Sequence, residues 1–317
     1  MRKIKVILII CSAFVVTAAQ AQEPDKTLVK VRYSFIHIQD TMHRDKPYTE
    51  NMLLLAGKNA SLYTSYDDMA QTIASLLQRE EMEKSGFSGE AINAKYRAQQ
   101  RQQFSSTKYY FFAREHKFYF RSDICITGCL VAGDPEKINW KIEKDTLNIA
   151  GIHCEKATAR FKGRNWIAWF DSELPLTSGP WKLNGLPGLI VEAYDDKKEV
   201  QFKFAGMENV KDGDLAVEDA HKLSQHDLDR IKNFMDGLDD NHVGLPPKRQ
   251  VQEGGPMQVT QKEFDKLKAE YDKDPVAFRT AQLIAYGYGA KANASANAPA
   301  PPQNVVNNPV ELPERNK

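Results

Sequence analysis

Cys154 beside His153 is the pair in this sequence that most resembles a nucleophile and its base. A thiol attacks as its thiolate and needs a base within hydrogen-bonding reach. On a strand, however, adjacent residues point to opposite faces. A partner for Cys154 would have to come from elsewhere, with His37, His116 or His221 as candidates. Cys125, Cys129 and Cys154 with one histidine have ligand types that suit zinc or Cu(I), but C-x3-C is a weak metal spacing. Paired carboxylates at Asp195-Asp196 and Asp239-Asp240 sit in polar runs and read as solvated turns. There is no H-E-x-x-H, G-x-S-x-G, Walker loop or dinucleotide fingerprint. No catalytic residue, metal ligand or cofactor is therefore assigned. A cysteine-dependent enzyme using Cys154 remains the alternative.

The second candidate is a rigid stretch, Trp181-Lys182-Leu183-Asn184-Gly185-Leu186-Pro187-Gly188-Leu189-Ile190, opened by Ser178-Gly179-Pro180. Leu186-Pro187-Gly188-Leu189 has type II turn chemistry, with φ fixed at Pro187 and a positive φ expected at Gly188. Gly185 suggests special φ or close backbone approach. Two readings stay open: a structural corner on a core, or a binding surface made of Trp181, Gly185, Leu186, Pro187, Gly188, Leu189 and Ile190.

The hexapeptide Gly185-Leu186-Pro187-Gly188-Leu189-Ile190 resembles the signature of the GLPGLI family, exported proteins common in Bacteroidetes. Other stretches are similar to the family pattern: Tyr48 to Leu55, Gly151 to Ala157, Gly163-Arg164 with Trp166 to Phe170, and Leu174 to Trp181. The resemblance spans roughly residues 25 to 275. It implies export and brings no catalytic role with it.

Residues 1–21 read as a signal peptide. Arg2, Lys3 and Lys5 precede an apolar run from Val6 to Val16, and Ala19-Gln20-Ala21 forms a cleavage site. The run of about 11 residues is too short for a membrane anchor, which needs about 20. The periplasm or cell envelope is the expected location. Without the leader, 40 basic residues face 42 acidic ones, a net charge of −2, which gives no reason to expect nucleic acid as a partner. In an oxidising compartment Cys125 is expected to pair with Cys129, or one of them with Cys154, leaving an odd thiol. Four residues along one strand span roughly 13 Å, so a 125–129 bridge needs a tight turn at 126–128.

The elements that must position these residues are mostly strands. Residues 27–38 alternate at period two, with Val29, Val31, Tyr33 and Phe35 on one face. Strands at 52–56 and 61–66 flank a Gly57-Lys58-Asn59 loop. Residues 67–103 form a helical insertion, capped at Asp67 or Asp68, with Met69, Ile73, Leu76 and Leu77 on one face. Aromatic strands follow at 107–113, 117–122 and 124–131. A meander spans 138–149, 153–162 and 165–170, with turns at Lys144-Asp145 and Lys162-Gly163, and a last strand lies at 199–210. Leu228, Ile231, Phe234 and Met235 mark one helix, and the capping box Thr260-Gln261-Lys262-Glu263 opens another with Phe264, Leu267 and Tyr271 inward. Residues 290–317, rich in Pro, Ala and Asn, are expected to be disordered.

The expected fold is α+β, a single domain over residues 22–289. It is built on a large curved antiparallel β-sheet, half-barrel-like, with the helical insertion at 67–103 and C-terminal helices. The expected role is non-enzymatic: binding an apolar small molecule or lipid, or an envelope partner. A structural accessory of an outer-membrane uptake complex is a further alternative.

Overall fold

Period-two alternation in β1 (Asp25–His37) sends Val29, Val31 and Tyr33 into the core, and both long edges of this strand are paired. The computed structural model describes residues 25–98, 102–211, 213–214, 216–232, 242–244, 256–287 and 305–314. The expected leader lies outside these residues, as do Phe234 and Met235. Around β1 run β2 (Tyr48–Gly57), β3 (Ala60–Ser65), β4 (Lys108–Phe112), β5 (Lys117–Ile124) and β6 (Thr127–Gly133) on one side. On the other lie β7 (Lys141–Ile149), β8 (Ile152–Phe161), β9 (Arg164–Asp171), β10 (Leu189–Asp195) and β11 (Val200–Asn209). Two short strands, β12 (His242–Val243) and β13 (Met257–Val259), complete the described set. The result is an open sheet of 13 strands in the order β13-β6-β5-β4-β3-β2-β1-β11-β10-β9-β8-β7, with β12 paired to β1. All pairings are antiparallel except β13 with β6.

One sheet face carries the main core, from Val31, Met52 and Tyr63 across to Trp166, Phe170 and Phe202. The opposite face of β2 to β4 buries Leu53, Leu55, Leu62, Tyr110 and Phe112 beneath helices. A strand covered on both faces reads as a continuous apolar run, which accounts for Met52 to Ala56. The covering helix is α1 (Tyr66–Lys84), seated through Met69 and Ile73. Its cap is Ser65, which accepts from the Asp68 amide, rather than the expected Asp67 or Asp68. Beside it lie α2 (Gly89–Ala98), a 3-10 turn at Glu218–Lys222, and α3 (Gln225–Lys232). The Thr260–Glu263 capping box opens α4 (Gln261–Lys273), which buries Phe264, and α5 (Pro275–Ala285) follows from an Asp274 cap. Among the described residues no helix is long and apolar enough to cross a membrane.

Three further expectations need correction. Lys144-Asp145 is not a turn: β7 runs through it, and the pairing with β8 skips between Ile142 and Thr146 as a bulge. The reversal comes at Ala150-Gly151, both at positive φ. Among the described residues Cys125, Cys129 and Cys154 are all free. In the β5–β6 hairpin Ile124 pairs with Thr127, so the tight turn is Cys125-Ile126, and Cys129 faces Ser122 rather than Cys125. Cys154 lies on β8, near the other end of the strand order from β6.

The third correction concerns the tail. Residues 305–314 lie against the sheet as a strap, instead of being disordered. Arg164 donates to it three times, from Nε to Val310 O at 2.9 Å and from Nη2 to Asn308 Oδ1 and Pro309 O at 2.7 Å each. The His37 ring shares a 2.7 Å hydrogen bond with Asn308 O, and Leu312 N donates to Lys162 O. The strap is held chiefly by polar contacts, so its composition hid the docking. The remainder of the expected tail, 290–304 and 315–317, lies outside the described residues.

Candidate functional site

The signature stretch forms the wall between core and cleft. Trp181 has φ 56, a left-handed conformation costly for a residue with Cβ. It is held there because its ring is buried against Trp166 (5.6 Å between centroids), Phe161 (5.9 Å) and Phe202 (6.5 Å). Leu186, Gly188, Leu189 and Ile190 are buried, and only Gly185 and Pro187 of the expected binding surface are exposed. Tyr33 Oη donates to Ile190 O at 2.6 Å, and Trp140 Nε1 to Asn184 O at 2.8 Å. The stretch is thus a corner of the core. Its glycines differ from the expected turn. Gly185 does have φ +85, but Gly188 is not at positive φ. A Cβ at Gly188 would stand 2.0 Å from Asp171 O, so glycine is required there by the close approach of β9.

Beyond this corner opens a cleft of about 600 Å3, with Tyr109 and Phe120 from the sheet and Phe264 and Tyr271 from α4 in its walls. Phe120 and Phe264 meet edge to face at 5.0 Å. An adjoining recess of about 150 Å3 shares Phe120, Glu136, Lys182 and Gln261 with it, and adds Phe118 and Phe161. Strands β5, β6 and β8 therefore line one continuous space although they lie towards opposite ends of the strand order.

The rim is charged. Lys182 Nζ lies 2.5 Å from Glu311 Oε1, and Lys162 Nζ lies 3.6 Å from Glu311 Oε2 while also pairing with Glu136. Each ammonium rests beside an aromatic ring of the core wall, Lys182 at 5.9 Å from the Trp181 centroid and Lys162 at 5.8 Å from that of Phe161. Burial alone would lower the Lys162 pKa, but Glu136 and Glu311 outweigh it and the group is raised. Burial also pushes the Tyr109 phenol well above its ordinary value, with Glu311 adding to the effect.

No described cysteine lines this cleft, although Cys129 is buried behind its wall with Phe264. Cys154 Sγ is 3.7 Å from Ile152 O, and His153 is exposed on the other face of β8. Burial pushes the Cys154 pKa up to about 11, with Asp171 and Glu192 contributing, and burial raises Cys129 likewise to about 11. A thiolate nucleophile needs the opposite shift. Of the expected bases, His37 is committed to Asn308, while His116 and His221 are exposed. Among the described residues no group of three His, Cys, Asp or Glu side chains is placed to hold a metal. The sequence reading missed the cleft because its walls come from β4, β5, α4 and the strap, too far apart in the chain to form a motif.

No family model and no curated protein matches the chain. Two crystal forms of PNGF-II are similar in structure, with TM-scores of 0.44 and 0.43 at 8% and 9% identity. Each match covers 76% of this chain, which spans about a third of PNGF-II, 33% in one form and 32% in the other.

Proposed function

We propose that the protein is exported to the cell envelope and binds an apolar ligand without catalysing a reaction. The observation that carries this reading is the cleft, where Tyr109, Phe120, Phe264 and Tyr271 offer aromatic surface in a space of about 600 Å3. That volume falls within the range of small-molecule sites, roughly 300–1,000 Å3. A half-barrel shape for the sheet fits the way β5, β6 and β8 share the cleft walls. Export rests on the leader-like residues 1–21 and on the resemblance to the GLPGLI family.

N-phenyl-1-naphthylamine, a neutral apolar fluorophore, tests the reading. Wild-type protein should bind it saturably at one site, and Phe120→Glu, which puts a charge on the cleft wall, should abolish the signal while the fold persists. Absence of saturable binding, or equal binding by the variant, would overturn the assignment.

Docking to an envelope partner is a second reading, favoured by edge strand β7, where Ile142 and Leu147 are 48% and 44% exposed. An edge strand offers unpaired backbone groups to an incoming strand. Crosslinking from position 142 in intact cells should then recover one specific protein, and recovery of none would sink this reading.

A further inference from the structure

Glu311 is unusual among the strap residues. Its neighbours Asn308, Pro309 and Val310 are held at the Arg164 end, whereas its own carboxylate reaches two ammonium groups at the mouth of the aromatic cleft. Lys182 and Lys162 belong to different segments, the corner loop and the β8–β9 turn, yet they converge on that one carboxylate. Each ammonium also stands over a core ring, Lys182 over Trp181 and Lys162 over Phe161, so both cations are fixed beside the core. Lys162 has Glu136 as a second partner, whereas among the described residues Lys182 pairs with the Glu311 carboxylate only. A carboxylate is thus seated at the head of a cleft that sets four aromatic rings among polar side chains such as Ser122, Asp123 and Lys268.

We propose that the cleft takes a single-chain amphiphile with a carboxylate head, the head displacing Glu311 between Lys182 and Lys162 and the chain lying on Tyr109, Phe120, Phe264 and Tyr271. The proposal rests on the cleft being the ligand site and adds the class of ligand. Glu311 then acts as a built-in competitor: it satisfies the lysines in the empty protein and must swing aside for a carboxylate head to seat there. The strap can release it while Arg164 keeps Asn308 to Val310 in place, because those contacts are independent of the Glu311 side chain. Selectivity follows from charge, since a neutral head in place of Glu311 would leave Lys182 partly desolvated and unpaired.

Decanoate and 1-decanol share a chain and differ in the head, so titrating both into the same protein separates the two claims. Decanoate should bind wild type more tightly than 1-decanol does. Lys182→Gln should weaken decanoate about tenfold and Glu311→Gln should strengthen it about tenfold, consistent with a charge-assisted hydrogen bond of roughly 1.5–3 kcal/mol partly screened at a cleft mouth. 1-Decanol, whose neutral head leaves Glu311 on the lysines, should bind all three proteins about equally. Both side chains are partly exposed, and unchanged melting temperatures would show that folding is preserved. If both ligands bind equally in all three proteins, the cleft reading stands and the anionic head is refuted. If neither ligand binds wild type, both fall.

Discussion

Gly188→Ala isolates what the corner demands of its backbone. A Cβ at this position would lie 2.0 Å from Asp171 O, 2.7 Å from Asp171 C and 3.0 Å from Ser172 Cα. Ordinary contact begins at about 3.4–3.5 Å, so β9 and the corner must separate by roughly 1.4 Å. The opposing atoms are backbone, and they cannot rotate away as a side chain would. Leu189 pairs with Asp171, so the shift breaks the start of the β9–β10 ladder. Overpacking costs typically 1–3 kcal/mol and occasionally more. With a backbone obstacle the top of that range is expected, about 3 kcal/mol, or about 4–5 °C in melting temperature at roughly 2.1 cal/mol/K of unfolding entropy per residue. Gly185→Ala supplies the control: its φ is +85 but its Cβ would meet nothing within 4 Å. There only left-handed strain applies, about 1–2 kcal/mol. Urea denaturation of both variants should rank Gly188→Ala as the more damaging. A larger loss at Gly185, or a cost below about 1 kcal/mol at Gly188, would refute the close-approach argument.

Other predictions concern the strap and the buried polar groups. Arg164→Met should cost about 3–5 kcal/mol, because Asp195 and Glu199 lose a buried partner, and should make residues 305–314 newly sensitive to limited proteolysis; protection equal to wild type would disprove the clamp. Burial lowers the His37 pKa below 6.5, with Arg164 adding to it against Asn308, Asp195 and Glu199. A folded pKa below the unfolded one gives stability that is present above about pH 6.5 and lost as pH falls towards the folded value. Denaturation midpoints measured from pH 7.5 to 5 should therefore decline, and His37→Gln should flatten that part of the curve. Tyr63 Oη is buried without a hydrogen-bond partner among the described residues, so Tyr63→Phe should leave stability unchanged or raise it by about 1 kcal/mol. A clear loss in thermal denaturation would show that the hydroxyl has a partner.

Where a local rule decided the outcome, the sequence was legible. Alternation at Val29, Val31 and Tyr33 marked β1, and Thr260 with Glu263 marked the start of α4. Residues in the signature could be seen to be constrained, but the type II turn put the constraint on φ at Gly188 when it lies in the Asp171 backbone, 17 positions earlier. Pairing with a distant strand has no local signature. The strap was misread for a related reason: its docking depends on Arg164, a single charged residue whose burial beside Asp195 is fixed by the fold. Lys162 and Lys182 likewise look like solvated surface until the strap brings Glu311 between them.

The central claim is that the aromatic cleft holds a ligand in the cell. Its most direct test is native mass spectrometry of the protein purified from its own envelope, beside the Phe120→Glu variant prepared in the same way. One bound apolar compound on the wild type, absent from the variant, is the predicted result. A wild type carrying no ligand, or a ligand retained equally by Phe120→Glu, would contradict the account.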